Sequence, residues 1–469
     1  MDEKIMIGLE THVQLNIVTK MFCGCKLEGI ATAEPNTRTC ETCLGMPGSK
    51  PRMNKAALEA ALKIALALGC KIADQTFFSR KTYLYPDMSK NFQITQYEIP
   101  LAQHGTSDTI DSTGKTKTIT IQRVHMEEDP AKMQHMGGDI TTAKYVIVDY
   151  NRSGIPLVEI VTAPEFTSPR EARVFLQRLM AILQYLGVFI SDELTIKSDA
   201  NISLAGGERV EIKNIGGFRE LERALNYEII RQRGAIRRGQ KIERETRAWD
   251  SGAKVTRRLR GKEFEEDYGY IFEPDLTPID IKKDLIEKIT KQLPELPIAK
   301  LKRYMKEFKI SQEMAAAITG DIELAQLYEK VVDHIDPKFA ATWLNILKKT
   351  LFWNNMSLSE SKLTPNIFVK LLKLVHDNEL SDRGAELVLR EMITKPEDFE
   401  ELTAKFSTIS EKELAQVVSA TIKEEKNAVS SYKSGDDKAL QFLIGQVIKK
   451  TRKRADARVV RELLIKELK

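Results

Sequence analysis

Four of the five cysteines fall into two pairs, Cys23-Gly24-Cys25 and Cys40-Glu41-Thr42-Cys43, with 14 residues between them. Thiolates so spaced converge on one tetrahedral ion, and Gly24 and Gly45 permit the tight turns this needs. Four thiolates leave no open coordination position, so Cys23, Cys25, Cys40 and Cys43 read as a structural zinc knuckle. Paired disulfides are the competing reading, and reducing surroundings disfavour them. Cys70, beside a helix end at Gly69, reads as a small buried hydrophobe.

A second set of chemistry-bearing residues stands on strand-like segments. In Met6–Gln14 the period of two puts Glu10, His12 and Gln14 on one face, with Ile7 and Leu9 on the other. In Ser198–Leu204, Asp199, Asn201 and Ser203 oppose Ala200, Ile202 and Leu204, and Val210–Lys213 repeats the pattern with Glu211. Leu157–Val161 carries a lone Glu159 inside an apolar strand. Taken singly, each is a solvated sheet face. Together, with His125–Asp129 and Asp149–Arg152, they suggest one polar cleft floored by the sheet. Oxygen ligands of this kind suit Mg²⁺, which keeps waters and bridges to phosphate. Lys81, Lys90 and Arg152 are candidate counter-charges for phosphate oxygens. No Walker-type or dinucleotide-type glycine motif occurs, so any ATP is held in another way. On the residues alone, kinase-like, ligase-like and hydrolytic chemistry all stay open.

The elements that must position these groups are legible in outline. Asn54 caps a helix that ends before Gly69, Ser168-Pro169-Arg170-Glu171 opens a second that closes at Gly187, and a third runs from about Phe218 to a stop at Gly234. Short alternating segments lie between them. The expected fold is α+β: a large mixed or antiparallel sheet with helices packed on it and a zinc knuckle, followed by two all-α modules. Past Pro294 and Pro297 the pattern becomes successive amphipathic helices, Ile298–Phe308, Ser311–Ile318, Pro365–His376 and Asp382–Ile393 among them. A further helical block follows from about Pro396. Expected domains are therefore 1–293, 294–399 and 400–469.

With 42% hydrophobic and 30% charged residues the chain is globular, not disordered, and at 469 residues it is too long for one core. It shows no leader pattern at its N-terminus and no apolar run of the roughly 20 residues that span a bilayer, so a cytoplasmic, membrane-free protein is expected. The net charge of +5 says little, but its distribution says more. Lys449, Lys450, Arg452, Lys453 and Arg454 cluster near the end of the chain, where they either neutralise phosphates or form a solvated helix face.

Read in order, GLETHVQL, MFCGCKL, AEPNTRTCETCLGMPG, RKTYLYPDMSKNFQITQYEIPL, HMEEDPAKMQH, VDYNRSGIPLVEIVTAPE, SDANIS and EIKNIGGFRELERALNYEIIRQ resemble the B subunits of the aspartyl/glutamyl-tRNA(Asn/Gln) amidotransferases. RETRAWD, GYIFEPDL and AVSSYKSGDDKALQFLIGQVIKKT continue the likeness, which covers essentially the whole chain. Two departures are visible: Lys197-Ser198 stands where family members often have Arg-Cys, and Pro130-Ala131 where Ala-Gly is common.

The resemblance implies a kinase-type site that uses ATP and Mg²⁺ to phosphorylate the side-chain carboxylate of Asp or Glu on mischarged tRNA. Ammonia, delivered from a glutaminase partner, then displaces the phosphate. It implies an amidase (glutaminase) A subunit and a small C subunit as partners, and Asp-tRNA(Asn) or Glu-tRNA(Gln) as substrate. On the family pattern Glu10, His12 and Glu128 stand nearest Mg²⁺, followed by Asp199, Asn201 and Glu211, with Lys81 and Lys90 on phosphate or carboxylate. The competing readings are a non-catalytic tRNA-tethering zinc protein and a ligase that adenylylates its substrate.

Overall fold

Alternation along the first strand decides which way the sheet faces. In the computed structural model, β1 (Ile5–Gln14) buries Ile7, Leu9 and Val13 completely and turns Glu10, His12 and Gln14 to the opposite side. The structure describes residues 4–111, 115–137, 143–189, 196–204, 207–261, 269–394, 399–406, 411–451, 455 and 457–468. The chain separates into two compact units, Met1–Leu296 and Pro297–Lys469.

In the first unit β1 is followed by β2 (Lys71–Ile72), β3 (Gln75–Thr76), β4 (Ser79–Thr82), β5 (Phe92–Thr95), β6 (Ala102–Ile110) and β7 (Thr116–Glu128). Then come β8 (Lys132–Met136), β9 (Tyr145–Asp149), β10 (Pro156–Thr162), β11 (Ile196–Leu204) and β12 (Val210–Lys213). The last four are β13 (Glu245–Asp250), β14 (Val255–Gly261), β15 (Gly269–Phe272) and β16 (Ile279–Asp280). The helices are α1 (Lys55–Ala67), α2 (Pro169–Tyr185), α3 (Phe218–Arg237) and α4 (Lys283–Gln292).

The principal sheet runs β14-β13-β12-β11-β1-β10-β7-β5-β4-β15, with β6 also on β7 and β2 on β6. Its pairs are antiparallel except β12 with β13, which are parallel and joined through α3, as a parallel pair requires a crossover. Helices α1, α2 and α3 cover the apolar face. Phe175, Leu179 and Leu183 of α2 and Leu221, Leu225 and Ile229 of α3 are buried there, each contributing roughly 1.5–3 kcal/mol. The sheet is thus greasy on its helix side and free to be polar on the other.

Local signals set the helix ends. Asn54 accepts from the amides of Ala56 and Ala57 to cap α1. Ser168 accepts from Glu171 N at 3.3 Å to cap α2, but the Glu171 carboxylate turns back past the cap, to Thr167 N at 2.8 Å. The third helix does not stop at Gly234. It continues to Arg237, because Ala235 is buried and Ile236 packs on the core, and it ends at Gly239, whose φ of +72° only glycine takes cheaply.

The second unit is helical throughout its described residues. It contains α5 (Pro297–Glu307), α6 (Gln312–Thr319), α7 (Ile322–Val331), α8 (Pro337–Trp353), α9 (Pro365–His376) and α10 (Asp382–Thr394). Next are α11 (Phe399–Phe406), α12 (Glu411–Glu424), α13 (Lys426–Lys433), α14 (Asp437–Lys450) and α15 (Ala457–Leu468). Buried Trp343, Tyr304 and Tyr328 anchor the earlier helices, and α11 packs on α10. A separate cluster, with Leu414, Val418, Leu443, Val447, Val460 and Leu464, joins α12, α14 and α15. No described helix is long and apolar enough to cross a membrane.

Candidate active site and metal centre

The polar face of β1 becomes a site because of what its register sets beside it. His12 pairs with Glu159 of β10, and Glu159 with His125 of β7. Residues opposite one another on antiparallel strands share a face, and Glu127 shares it too, being two residues beyond His125. His12 Nε2 accordingly lies 3.3 Å from Glu159 Oε2 and 3.5 Å from Glu127 Oε1. His125 Nε2 lies 3.3 Å from Glu159 and 3.9 Å from Glu127. Ligand atoms of His12, Glu127 and Glu159 fall within 4.8 Å of one another. Two carboxylates and an imidazole so placed are a donor set for one divalent cation.

The electrostatics point the same way. Burial raises the Glu127 carboxyl above its usual range, His12 opposes this, and the charge of Glu159 adds to it. Against burial, His125 and His12 hold Glu159 well below that range. Burial also disfavours charge on His12, yet the hydrogen bond and charge of Glu159, with help from Glu127, raise its pKa to about 10. Two buried carboxylates therefore demand a cation. A proton on His12 meets the demand in the ion-free cluster, and a divalent ion would meet it more fully.

A cavity of about 240 Å³ adjoins the cluster, lined by Glu10, Lys81, Arg123, Glu211 and Lys213, with Tyr97 and Tyr270 among its walls. Those two rings stack with centroids 3.8 Å apart. Asn201 Nδ2 donates to Glu10 Oε1 at 2.7 Å, and Thr246 Oγ1 donates to Glu211 Oε2 at 2.9 Å. Lys213 Nζ stands 3.6 Å from Asp199 and 3.7 Å from Glu211, and burial raises the Asp199 carboxyl while Lys213 opposes it. The strand alternation read from sequence is the reason these residues meet.

The four cysteines form the second cluster, their sulfurs within 4.8 Å of one another. Hydrogen bonding between Cys23 and Cys43 is the largest cause driving their thiols apart, Cys23 upward and Cys43 down to about 5. Burial pushes Cys25 up to about 11. The fully buried Lys20 places Nζ 3.6 Å from Cys43 Sγ and donates to Tyr150 O at 3.2 Å. Four convergent sulfurs with a buried cation beside them suit the charge of a zinc tetrathiolate, and the cluster is compatible with a zinc knuckle.

The family model described as "GatB/GatE catalytic domain" matches residues 5–287, and one described as "GatB domain" matches 326–468. The B subunit of the aspartyl/glutamyl-tRNA(Asn/Gln) amidotransferase of Methanococcoides burtonii is 43% identical over 99% of this chain and 98% of its own. Proteins of the same description from Sulfolobus acidocaldarius (43%, 99% of each chain) and Methanosarcina barkeri (44%, 99% of this chain and 98% of its own) are similar along the same span. The chain belongs to the family of aspartyl/glutamyl-tRNA(Asn/Gln) amidotransferase B subunits.

In this member of the family, not every residue expected at the site is brought to it. Glu128 follows Glu127 by one position, so the strand turns it to the opposite face. There Glu128 Oε1 takes Lys90 Nζ at 2.5 Å and Ile94 N at 2.8 Å, in a cavity of about 230 Å³ beside the cysteine cluster. Gly45 of the cysteine loop packs so tightly here that a Cβ would fall 2.4 Å from Lys90 Cβ. Lys90 is thus held with Glu128, away from His12. Arg152 donates to the carbonyls of Pro130 and Ala131, both at 2.8 Å, and stands 3.5 Å from Asp129. Lys449 and Lys450 end α14, with Lys450 on Glu424 at 2.5 Å, while Arg452, Lys453 and Arg454 lie outside the described residues. Glu127 and Glu159 are the site residues that sequence reasoning did not select. Strand parity with His125 was the signal for the first, and a lone carboxylate in an apolar strand was the signal for the second.

Proposed function

We propose that this chain phosphorylates the side-chain carboxylate of Asp or Glu carried on mischarged tRNA, at the expense of ATP, and that ammonia converts the acyl phosphate to the amide. The observation that carries the reading is the buried His12–Glu127–Glu159 cluster opening onto a cavity with lysine and arginine walls, in a chain of this family. A carboxylate oxygen attacks the γ-phosphorus and ADP leaves. Ammonia then attacks the activated carbonyl carbon, the C–O bond breaks, and inorganic phosphate leaves with one ammonia proton. The products are Asn-tRNA(Asn) or Gln-tRNA(Gln).

His12, Glu127 and Glu159 would hold Mg²⁺, which when bound neutralises charge on the transferring phosphoryl group. Glu10, Asp199, Asn201 and Glu211 form a hydrogen-bonded wall that orients the cluster and takes outer waters. Lys81 and Arg152 supply cations for phosphate and carboxylate oxygens. Lys90 and Glu128 act as positioning residues: Glu128 also accepts from Gln93 Nε2 at its carbonyl, tying β5 to the end of β7 that carries Glu127. Zinc at the four cysteines is structural. A B subunit works within an assembly, whose other members we take to be an amidase (glutaminase) A subunit that supplies ammonia and a small C subunit. We assign residues 1–293 to catalysis, 294–399 to a helical domain and 400–469 to a tRNA-binding tail, in a cytoplasmic complex.

The test is the nucleotide product in the assembled complex. Aminoacyl-tRNA-dependent release of ADP and phosphate is expected. Release of AMP and pyrophosphate overturns the reading in favour of an adenylylating ligase.

A further inference from the structure

The sheet face carrying the His12 cluster bears a second cavity, of about 1130 Å³, beyond the other end of β1. The two are connected through the strands. His12 is the register partner of Lys197 on β11, and Gln14 donates to Asp129 at 2.8 Å, which in turn faces Arg152. Lys197 and Arg152 line this second cavity together with Lys132 and His135 of β8 and Arg257 and Arg258 of β14. Its acidic lining is Asp87 and Asp250.

Pairing within the protein leaves much of that positive charge uncompensated. Arg257 has Asp250 at 3.0 Å, and Arg258 has Glu245 at 3.1 Å. The side chains of Lys132, His135 and Lys197 make no ion pair or hydrogen bond with another described residue. Desolvation, and then the adjacent Arg152 guanidinium, lower the Lys197 pKa. Cations crowded in this way are at rest only with an anion among them. The cavity is several times larger than the one beside Tyr97 and Tyr270, and cations come to it from two separate hairpins, β8–β9 and β13–β14. That is the arrangement of a channel tracking a phosphate backbone, not of a pocket for one nucleotide.

We propose that the cavity bounded by Lys132, Arg152, Lys197 and Arg257 holds the phosphate backbone of the single-stranded 3′ end of the tRNA and so brings the aminoacyl carboxylate to the His12 cluster. This rests on the function proposed above, and it assigns the nucleotide to the other cavity. Backbone contacts position a strand without reading its sequence, so the site serves both Asp- and Glu-bearing tRNAs.

The experiment compares two RNA hairpins, one blunt and one with a single-stranded 3′ extension, binding to the full chain without ATP. The wild type is expected to bind the extended hairpin more tightly. In the Lys132→Ala/Lys197→Ala variant that gap closes several-fold and the salt slope for the extended hairpin becomes shallower by about one per lysine. Melting temperature and affinity for ATP stay as in the wild type. An unchanged gap with lost ATP binding makes this the nucleotide site and overturns the proposal, as does an unchanged gap with ATP binding intact. Because no ATP is present, the outcome is independent of whether the reaction releases ADP or AMP.

Discussion

Glu127 and Glu159 look alike in sequence and differ in what their surroundings do to them. Glu127 is raised above its usual range by burial, so its charged form costs stability in the folded protein at neutral pH. Glu159 is held well below, so its charge contributes stability above the ordinary glutamate pKa of about 4.3, lost as pH falls through the lowered folded value. In Mg²⁺-free buffer at pH 7, Glu127→Gln should therefore melt no lower than wild type. Glu159→Gln should melt lower, by a margin that shrinks toward acid pH. Paired thermal melts at neutral and acid pH check the sign, and a Glu127→Gln protein that melts early throughout would make that carboxylate a structural member. In the assembled complex His12→Ala and Glu127→Gln should each slow ADP formation by about 10²–10³-fold, the size of losing a main electrostatic stabiliser, and excess Mn²⁺ should partly restore Glu127→Gln. At the cysteine cluster, Cys40→Ser should lower zinc content and melting temperature together, because metal binding there is folding free energy. Metal analysis on the melted samples decides it.

Elements explain why some of this was legible and some was not. Glu10 and His12 were readable because a period of two needs only one strand. The placement of Glu128 was not: the acidic pair Glu127-Glu128 ends β7, and only its pairing with β10 says which member faces His12. The cysteine spacing announces its cluster, whereas the buried Lys20 beside it comes from a segment with no motif of its own. The α1 and α2 caps follow their residues, but the end of α3 does not. Gly234 reads as a stop, and tertiary packing of Ala235 and Ile236 carries the helix past it. That difference is measurable. A Cβ at Gly234 would meet nothing closer than an Arg238 guanidinium nitrogen at 3.4 Å, so Gly234→Ala should stabilise by about 0.5–1 kcal/mol through helix propensity. Gly239→Ala meets no atom either, but its φ of +72° should make it cost about 1–2 kcal/mol. Denaturant midpoints of the two variants should move in opposite directions. If both fall, Gly234 is not an ordinary interior helix position.

At the scale of the whole molecule the chemistry and the basic tail are carried by different units, and the prediction is that they separate. The first unit carries the sheet, the His12 cluster and both cavities on its polar face. The tail has its own buried cluster across α12, α14 and α15, with Lys449 and Lys450 at the end of α14. Because α11 packs on α10, with Leu402 buried, the place to end the chain is Phe406 and not the helix before it. A chain ending there should keep the melting transition of the remaining helices. It should bind whole tRNA more weakly and with a shallower dependence on salt, since the lost Lys and Arg residues each stand for phosphate contacts that release counterions. Aminoacyl-tRNA-dependent ADP release in the assembled complex should be recovered at saturating tRNA, because the residues around His12 are untouched. Affinity and salt slope equal to those of the full chain would make the basic cluster a solvated helix face. Lost ADP release at saturating tRNA, with the first unit still folded, would mean that the tail acts in catalysis and not only in tRNA capture.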